Sequence, residues 1–440
     1  MYHKCPVHQM DVANAFLHGD LHETFYMSQP RGFKDSLHPN HVCLLKKAIN
    51  GLKQAPRQWF NTFSAYLLSL GFNHSQSDHS LIILSTTHLQ IYLVIYVDDI
   101  LVSGTDDTAV QSFIDQISSK FTMKFLGYAH IYISWYSIQT YSNHYFLSQT
   151  PYALSILYQA GLQQCKPLSN PSNTKPATIP FFDPIIHNPL IYKQLTRSLQ
   201  YLTITRPDIA YAVNVLCQHM HAPQPTHFHL LKRLFQYIQG TPHFGLPIVA
   251  DSLQLRSFFD VDWASDIITR RSTTGYCSFL GSTLISWSVK KQHIVACSST
   301  EAEYRAIAVA TADILWLCRL LTEFNVSPSA STIFHCDNML AIALANNTIF
   351  HAWTKHIEID HHFLRDHIQA KHVRARQQDW WLIETVDESF HYGCLGRHNI
   401  SGGIPAKKYG KPSLFSKQIA VFSPPVSQAE NVYNARNTGG

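Results

Sequence analysis

The stretch LQIYLVIYVDDILVSG, residues 89 to 104, places the strongest constraint on how this chain can fold. An apolar, β-branched run from Ile91 to Val97 leads into Asp98 and Asp99, and Ile100 to Val102 resume the apolar pattern at once. This pattern predicts a buried β-hairpin with a charged tip. Carboxylates against an apolar sheet are costly unless cations offset their charge, so the pair indicates a metal site. A β-turn is the alternative, because Asp is also a favoured turn residue.

Length and composition favour a globular protein with several domains. The chain has 440 residues, of which 45% are hydrophobic, and its formal net charge of +5 permits nucleic-acid binding without establishing it. The nine cysteines form no CxxC pair, which argues against a zinc ribbon and fits a reducing, intracellular setting, in the cytoplasm or the nucleus. No leader-like segment and no run of 18 apolar residues occurs, so we expect neither secretion nor a membrane span.

A further acidic residue, Asp11, ends a short predicted strand from Val7 to Val12. Two-metal phosphoryl chemistry needs carboxylates that converge from separate elements, so Asp11 is a candidate partner of the hairpin acids. Downstream, a polar loop that contains Gln54 precedes a predicted helix with an apolar face from Trp59 to Leu70. Such a loop is either an ordinary solvated surface or a place for a triphosphate at a helix N-terminus.

A second acidic group belongs to a new α/β pattern after residue 250. Asp260 lies on a predicted strand, Glu303 in the first turn of a long helix, and Asp337 where a strand runs into a helix. These positions suggest a cation site. The alternatives are structural, because Thr300-x-x-Glu303 fits a capping box and Asp337 fits a helix N-cap.

A set of motifs in sequence order resembles the Pol polyprotein of copia-type LTR retrotransposons, over roughly residues 5 to 370. The motifs are QMDVANAFLHGDL, INGLKQAPRQWF, YVDDILVSG, MKFLG, YFLSQTPYA, ITRPDIAYAV, DVDWASD, RRSTTGYCSFL, SWSVKKQ, SSTEAEYRA, CDNMLAIALANN and TKHIEIDHHFLRD. The resemblance implies the fold class, an α+β reverse transcriptase palm and thumb followed by an α/β ribonuclease H-like domain. It also implies RNA-directed DNA synthesis coupled to degradation of RNA in RNA–DNA hybrids.

The resemblance assigns roles to matching positions. In the first region Asp11, Asp98 and Asp99 would hold Mg²⁺ or Mn²⁺ for nucleotidyl transfer. Residues expected to contact the incoming nucleotide are Phe16 as a steric gate, Gln54, and the YxDD-box residues Tyr96 and Val97. In the second region Asp260, Glu303 and Asp337 would bind metal and cleave RNA. The implied partners are an RNA template, a DNA primer, an RNA–DNA hybrid and deoxynucleoside triphosphates.

The resemblance also predicts the domain organisation. We expect the palm and thumb over residues 1–165, with the fingers largely missing because the chain begins about ten residues before Asp11. A Pro-rich linker and helical connection are expected over 166–250, the ribonuclease H-like domain over 251–370, and a divergent, disordered tail over 371–440 that lacks the fourth ribonuclease H acid of the family. Hence two alternatives to an active polymerase-nuclease stay open: a catalytically inactive retroelement fragment and a domesticated nucleic-acid-binding protein. The sequence leaves template, host and oligomeric state open.

Overall fold

A computed structural model describes residues 5–128, 136–142, 144–172, 188–326, 330–347 and 357–377. The chain divides into two compact units between residues 130 and 131. The domain boundaries that the sequence predicts near residues 165 and 250 both fall within the second unit. None of the described helices combines the length and the apolar character needed to cross a membrane.

The first unit is built on a six-stranded antiparallel sheet with the strand order β4-β5-β6-β7-β1-β8. Its strands are β1 (Val7–Val12), β4 (Asn73–His74), β5 (Leu81–Ser85), β6 (Gln90–Tyr96), β7 (Asp99–Gly104) and β8 (Met123–Tyr128). A separate two-stranded ribbon pairs β2 (Asp20–Ser28) with β3 (Val42–Lys47). The unit also contains a 3-10 helix (Ala15–His18) and the α-helices α1 (Ala55–Ser69) and α2 (Asp107–Lys120).

The core of the first unit lies where α1 and α2 cover the sheet. Buried and half-buried residues alternate along β6 and β7, which is the period of a strand with one face in the core. Trp59 and Phe63 of α1 and Ile114 of α2 pack against those buried positions. A Cβ atom on Gly104 would lie 2.6 Å from both the Gln90 carbonyl oxygen and a Val110 methyl group, so the helix approaches this strand end too closely for any larger residue.

The second unit begins with a three-stranded sheet and four helices. The sheet has the order β11-β10-β9, and α3, α4, α5 and α6 pack around a shared apolar core. The elements are β9 (Ser137–Thr140), β10 (His144–Ser148), α3 (Thr150–Gln159), α4 (Pro189–Leu202), a 3-10 helix (Pro207–Ile209), α5 (Ala210–Gln218), α6 (Pro225–Gly240) and β11 (Gly245–Val249). Residues 173–187 of the predicted Pro-rich linker lie outside the described residues.

A five-stranded mixed sheet with the order β14-β13-β12-β15-β16 forms the remainder of the second unit. β12, β13 and β14 are antiparallel, whereas β15 and β16 run parallel to β12. The elements are β12 (Leu255–Asp262), β13 (Thr273–Leu280), β14 (Thr283–Lys291), α7 (Ser299–Glu323), β15 (Thr332–Cys336), α8 (Met339–Asn346), α9 (Glu358–Gln369) and β16 (Val373–Gln377).

Strand β16 corrects one sequence-based boundary. The sequence predicts that ordered structure ends at residue 370, but Val373–Gln377 pairs along its whole length with Thr332–Cys336. Val373 is buried while its neighbour Arg374 is exposed, so this segment places one face in the core although it carries two arginines. The remainder of the predicted tail, residues 378–440, lies outside the described residues.

Candidate active sites

The hairpin of the first unit places Asp99 directly opposite Asp11. β6 and β7 are joined by the two residues Val97 and Asp98, because Tyr96 pairs with Asp99. β7 then pairs antiparallel with β1, in a register that sets Asp11 against Asp99, and the Val12 amide donates to the Asp98 carbonyl oxygen at 3.0 Å. Directly opposed residues of antiparallel strands project from the same face of the sheet. The fold therefore brings the backbone of Asp11 to the same strand end as Asp98 and Asp99, which follow it by 87 and 88 positions in the sequence.

The turn itself is strained and anchored. Val97 has a φ of 55°, a conformation that β-branched residues rarely adopt. Its carbonyl oxygen accepts a hydrogen bond of 2.6 Å from the indole Nε1 of Trp59, which is fully buried in α1. No local sequence pattern predicts this contact. This hydrogen bond connects the acidic hairpin to α1, the helix that follows the Gln54 loop.

Two further charged or polar groups lie beside these acids. Partial burial, followed by the charges of Asp99 and Asp98, raises the pKa of Tyr96, so its hydroxyl stays protonated near both carboxylates. Lys124 of β8 pairs with Asp11 from the side opposite Asp99, which places a cation at the same strand end. The sequence offers Lys124 only as part of the MKFLG motif.

The remaining sequence-based candidates of the first unit lie on neighbouring elements. Phe16 belongs to a 3-10 helix, Ala15–His18, and packs against the apolar core. Gln54 directly precedes α1 and donates from Nε2 to a carboxylate oxygen of Glu23 at 3.3 Å. Their predicted contacts with a nucleotide stay predictions.

In the second unit two of the three predicted acids meet. One carboxylate oxygen of Glu303, one of Asp337 and the Cys336 sulfur all lie within 4.8 Å of one another. The position of Asp260 relative to this pair follows from the strand register, because β12 and β15 are parallel and Phe258 pairs with His335. Two residues further along, Asp260 lies near the end of β12, and Asp337 directly follows the last residue of β15.

The pKa of the Cys336 thiol is raised by its surroundings, which include all three acids. Burial is the largest cause that raises its pKa, and the charges of Glu303, Asp337 and Asp260 raise it further. Asp262, the other acid of β12, has a structural partner, since its Oδ2 accepts a hydrogen bond of 3.0 Å from the Tyr211 hydroxyl. Glu303 and Asp337 therefore meet at Cys336, and Asp260 lies on the neighbouring strand β12.

Both capping interpretations of these acids are wrong. The N-cap of α7 is Ser298, whose hydroxyl accepts from the Glu301 amide at 3.1 Å, so the frame Thr300-x-x-Glu303 is not used. The N-cap of α8 is Asn338, whose side-chain oxygen accepts from the amides of Leu340 and Ala341, both at 3.1 Å. Capping therefore explains neither Glu303 nor Asp337.

The donor sets fit divalent cations. Each group offers carboxylate oxygens from at least two separate elements, the ligands that Mg²⁺ and Mn²⁺ prefer. Carboxylates gathered at one place repel one another unless a cation offsets their charge. The arrangement can thus hold cations at the end of a strand in each unit.

Comparisons with known proteins agree on one family. The family model described as reverse transcriptase (RNA-dependent DNA polymerase) matches residues 1–174. Over 371 residues the chain is 41% identical to a retrovirus-related Pol polyprotein from transposon RE2 of Arabidopsis thaliana, a match that covers 84% of this chain and 25% of that protein. Over 380 residues it is 34% identical to the polyprotein from transposon TNT 1-94 of Nicotiana tabacum, covering 84% of this chain and 28% of that protein.

Among solved structures, the chain is similar to a foamy viral protease-reverse transcriptase in complex with dsDNA. The TM-score is 0.43 at 10% identity, over 85% of this chain and 68% of that one. The chain spans about a quarter of the length of the curated relatives it matches.

Sheet order, sequence identity and family match point the same way. The observed α+β first unit and the mixed five-stranded sheet of the second confirm the expected fold class. The chain belongs to the copia-type retrotransposon Pol polyproteins, of which it covers the reverse transcriptase region and the segment that follows it.

Proposed function

We propose that this chain carries the RNA-directed DNA polymerase site of its polyprotein at Asp11, Asp98 and Asp99, with RNA template, DNA primer and deoxynucleoside triphosphates as partners. The observation that carries the proposal is the register of β1 and β7, which pairs Asp11 with Asp99. Because Val12 also binds the Asp98 carbonyl oxygen, the three acids are fixed by main-chain hydrogen bonds. A site built on paired strands holds its groups more accurately than one built on loops.

The chain's own residues would hold and align the reactants. Asp11, Asp98 and Asp99 would hold two divalent cations, which when bound acidify a primer 3′-hydroxyl and offset charge on the transferred phosphoryl group. Tyr96, kept protonated by its surroundings, can donate a hydrogen bond next to the acids. Val97, fixed by Trp59, would shape the floor of the nucleotide site, and Phe16 and Gln54 would contact the sugar of the incoming nucleotide.

We further propose that the second unit cleaves the RNA strand of RNA–DNA hybrids at Asp260, Glu303 and Asp337. The supporting observation is the approach of Glu303 and Asp337 around Cys336, with neither acid explained by helix capping. Here too the carboxylates would hold divalent cations, which when bound activate water. The fourth acid of the family pattern has no counterpart that we assign, so we expect cleavage slower than in relatives that have it.

Primer extension on an RNA template with Mg²⁺ tests the polymerase proposal. Asp98→Asn keeps the shape of the side chain and removes its charge, so we expect extension to fall at least about 10²-fold, since even indirect partners of metal ligands cost 10–100-fold. The matched control is Asp115→Asn on α2, whose carboxylate accepts from the Gln111 side chain on the same exposed helix face.

The outcome separates the candidate functions. Extension that persists in Asp98→Asn would contradict the site assignment. A parent chain that binds template–primer duplex without extending it would instead support the alternative of a nucleic-acid-binding protein. A parent chain that does neither would support an inactive fragment.

A further inference from the structure

The motif SWSVKKQ ends in Gln292, a residue that the proposed activities do not use. Gln292 follows β14 and its main-chain amide donates to the Ser272 carbonyl oxygen at 2.8 Å. Its side-chain Nε2 donates twice, to the Thr274 hydroxyl at 3.0 Å and to the Ala302 carbonyl oxygen at 2.9 Å. One amide group therefore joins strand β13 to the first turn of α7.

The two acceptors stand next to two of the proposed metal ligands. Thr274 pairs with Val261 of β12, and the next residue of β13, Gly275, pairs with Asp260. Ala302 is the residue before Glu303 in the chain. The Gln292 amide thus fixes the distance between the strand that flanks Asp260 and the helical turn that presents Glu303.

The orientation of this amide follows from its partners. A carbonyl oxygen only accepts hydrogen bonds, so the atom that faces Ala302 is Nε2 and the amide oxygen points away. That Oε1 is buried, and no donor among the described residues reaches it. A buried acceptor without a donor costs free energy, so this position is not the one that stability alone favours. Such local cost is typical of residues that serve a site.

The helix cap does not supply the same connection. Ser298 and Glu301 bind amides at the start of α7, and Glu301 also accepts from Arg305 on the same helix. These contacts stabilise the helix itself. The bonds of Gln292 instead connect the helix to the sheet.

We propose that Gln292 is a positioning residue, which holds Glu303 at the correct distance from Asp260 for the two to share a cation. This inference rests on the proposed hybrid-cleavage site of the second unit. Groups that orient metal ligands without touching the metal typically change metal affinity or activity by about 10–100-fold when removed.

Mn²⁺ binding and hybrid cleavage test the proposal on the full chain. Asp98→Asn and Asp99→Asn are introduced first, so that the ions counted belong to the second unit. In this background we expect Gln292→Met to weaken Mn²⁺ binding by about 10-fold or more, and to raise the Mg²⁺ concentration for half-maximal cleavage by a similar factor. The unfolding midpoint of Gln292→Met should change little. The loss of the two hydrogen bonds from Nε2 is offset by the removal of the buried Oε1 that lacks a donor.

Two further variants make the result specific. Thr274→Val removes one of the two acceptors with little change of shape, and should weaken Mn²⁺ binding less than Gln292→Met does. Ser257→Ala is the control. Ser257 lies on β12 three residues before Asp260, and its substitution removes a buried hydrogen bond to the Ser278 hydroxyl of β13. We expect this control to lower stability and leave Mn²⁺ affinity unchanged.

The possible failures can be told apart. If Glu303→Gln abolishes Mn²⁺ binding while Gln292→Met leaves it unchanged, the positioning role is wrong and the site stands. The same holds if Gln292→Met and Ser257→Ala lower cleavage only in proportion to the unfolded fraction. If Glu303→Gln itself leaves Mn²⁺ binding unchanged, the proposed site fails and the positioning role fails with it.

Discussion

At the scale of single residues, two glutamates of α7 that lie two positions apart have different surroundings. Glu301 accepts hydrogen bonds from the Cys297 amide at 2.8 Å and from the Arg305 guanidinium at 2.9 Å. Glu303 instead approaches Asp337 and Cys336. Because a helix turns about 100° per residue, this spacing directs the two side chains to different neighbours. One glutamate stabilises the helix, and the other is the residue that we propose as a metal ligand.

This division predicts opposite effects of substitution. Glu301→Ala should lower the free energy of unfolding by about 1–2 kcal/mol, because the Cys297 amide loses its acceptor and the Arg305 guanidinium loses a buried partner. Glu303→Gln should leave stability unchanged or raise it, since it removes one of several gathered negative charges, and should abolish hybrid cleavage. Urea denaturation and a labelled-hybrid assay measure the two effects. A larger stability loss in Glu303→Gln than in Glu301→Ala would reverse the assignment.

The sequence could predict which residues are acidic and close to strand ends, but not which of them form caps. SSTEAE allows a capping box at Ser298 and Glu301 or at Thr300 and Glu303, and only the start of the helix decides between them. Cys336 and Gln292 were not predicted either. Their importance comes from contacts with residues distant in sequence, which no local spacing reveals.

At the scale of secondary-structure elements, a buried ion pair joins α6 to the 3-10 helix that precedes α5. The guanidinium of Arg206, 1% exposed, binds both carboxylate oxygens of Asp208, at 2.8 and 2.7 Å. It also donates to the Thr241 carbonyl oxygen at 2.8 Å, and the Tyr237 hydroxyl donates to Asp208 at 2.9 Å. Arg206 and Asp208 of the ITRPDIAYAV motif therefore have a structural role, the formation of this buried ion pair.

Breaking this pair should cost more than replacing both partners. Arg206→Met leaves the Asp208 carboxylate buried without its counter-charge, and we expect a loss of about 3–5 kcal/mol in the free energy of unfolding. Adding Asp208→Asn should recover part of that loss, because the stranded charge is gone and the amide still accepts from Tyr237. A double-mutant cycle in guanidinium measures the coupling. Additive losses would show that the two side chains act independently.

The start of α6 carries a titratable cap. The main-chain amide of Gln224 donates to Nδ1 of His227 at 2.9 Å. The rings of His227 and His219 stack with centroids 3.6 Å apart. Burial, and then the neighbouring His219, lowers the pKa of His227 from its ordinary 6.5 to about 4. The folded chain therefore keeps this imidazole neutral at pH values where the unfolded chain protonates it.

Stability should consequently fall as the pH drops from about 6.5 to about 4. In that range the unfolded state binds more protons than the folded state, so the free energy of unfolding rises with pH. His227→Gln keeps an acceptor at the third helical position and removes the titration, and should flatten this part of the profile. Chemical denaturation at a series of pH values measures it. An unchanged slope in His227→Gln would assign the dependence to other groups.

Local patterns predicted most elements, and the exceptions depend on pairing. The apolar, β-branched runs of β6 and β7 and the apolar spacing of α1 and α2 identify these elements from sequence. β16 was missed because VRARQ is rich in arginine, and only its parallel partner β15 makes it a strand. Tertiary contacts override weak local propensity in such segments.

At the scale of the whole molecule, each of the two units carries its own group of acids. The first group lies between β1 and the hairpin of β6 and β7, and the second around the ends of β12 and β15. The order of motifs along the chain predicted one group of acids in the first region and another after residue 250. It did not predict that the units divide near residue 130, because α3 shares its core with α4, α5 and α6 rather than with the first sheet.

Separate groups of acids predict separate responses to metal. A ligand that binds only the folded state stabilises it by about 2.7 kcal/mol at a concentration one hundred times its Kd. Thermal unfolding of the full chain in Mn²⁺, compared with EDTA, should therefore show an upward shift in the transition of each unit. Asp11→Asn should remove the shift of the first unit alone, and Glu303→Gln that of the second alone. Asp115→Asn, on the exposed face of α2, serves as the control and should keep both shifts. Loss of both shifts in a single variant would contradict two independent sites, because carboxylates confined to one unit cannot hold the cations of the other.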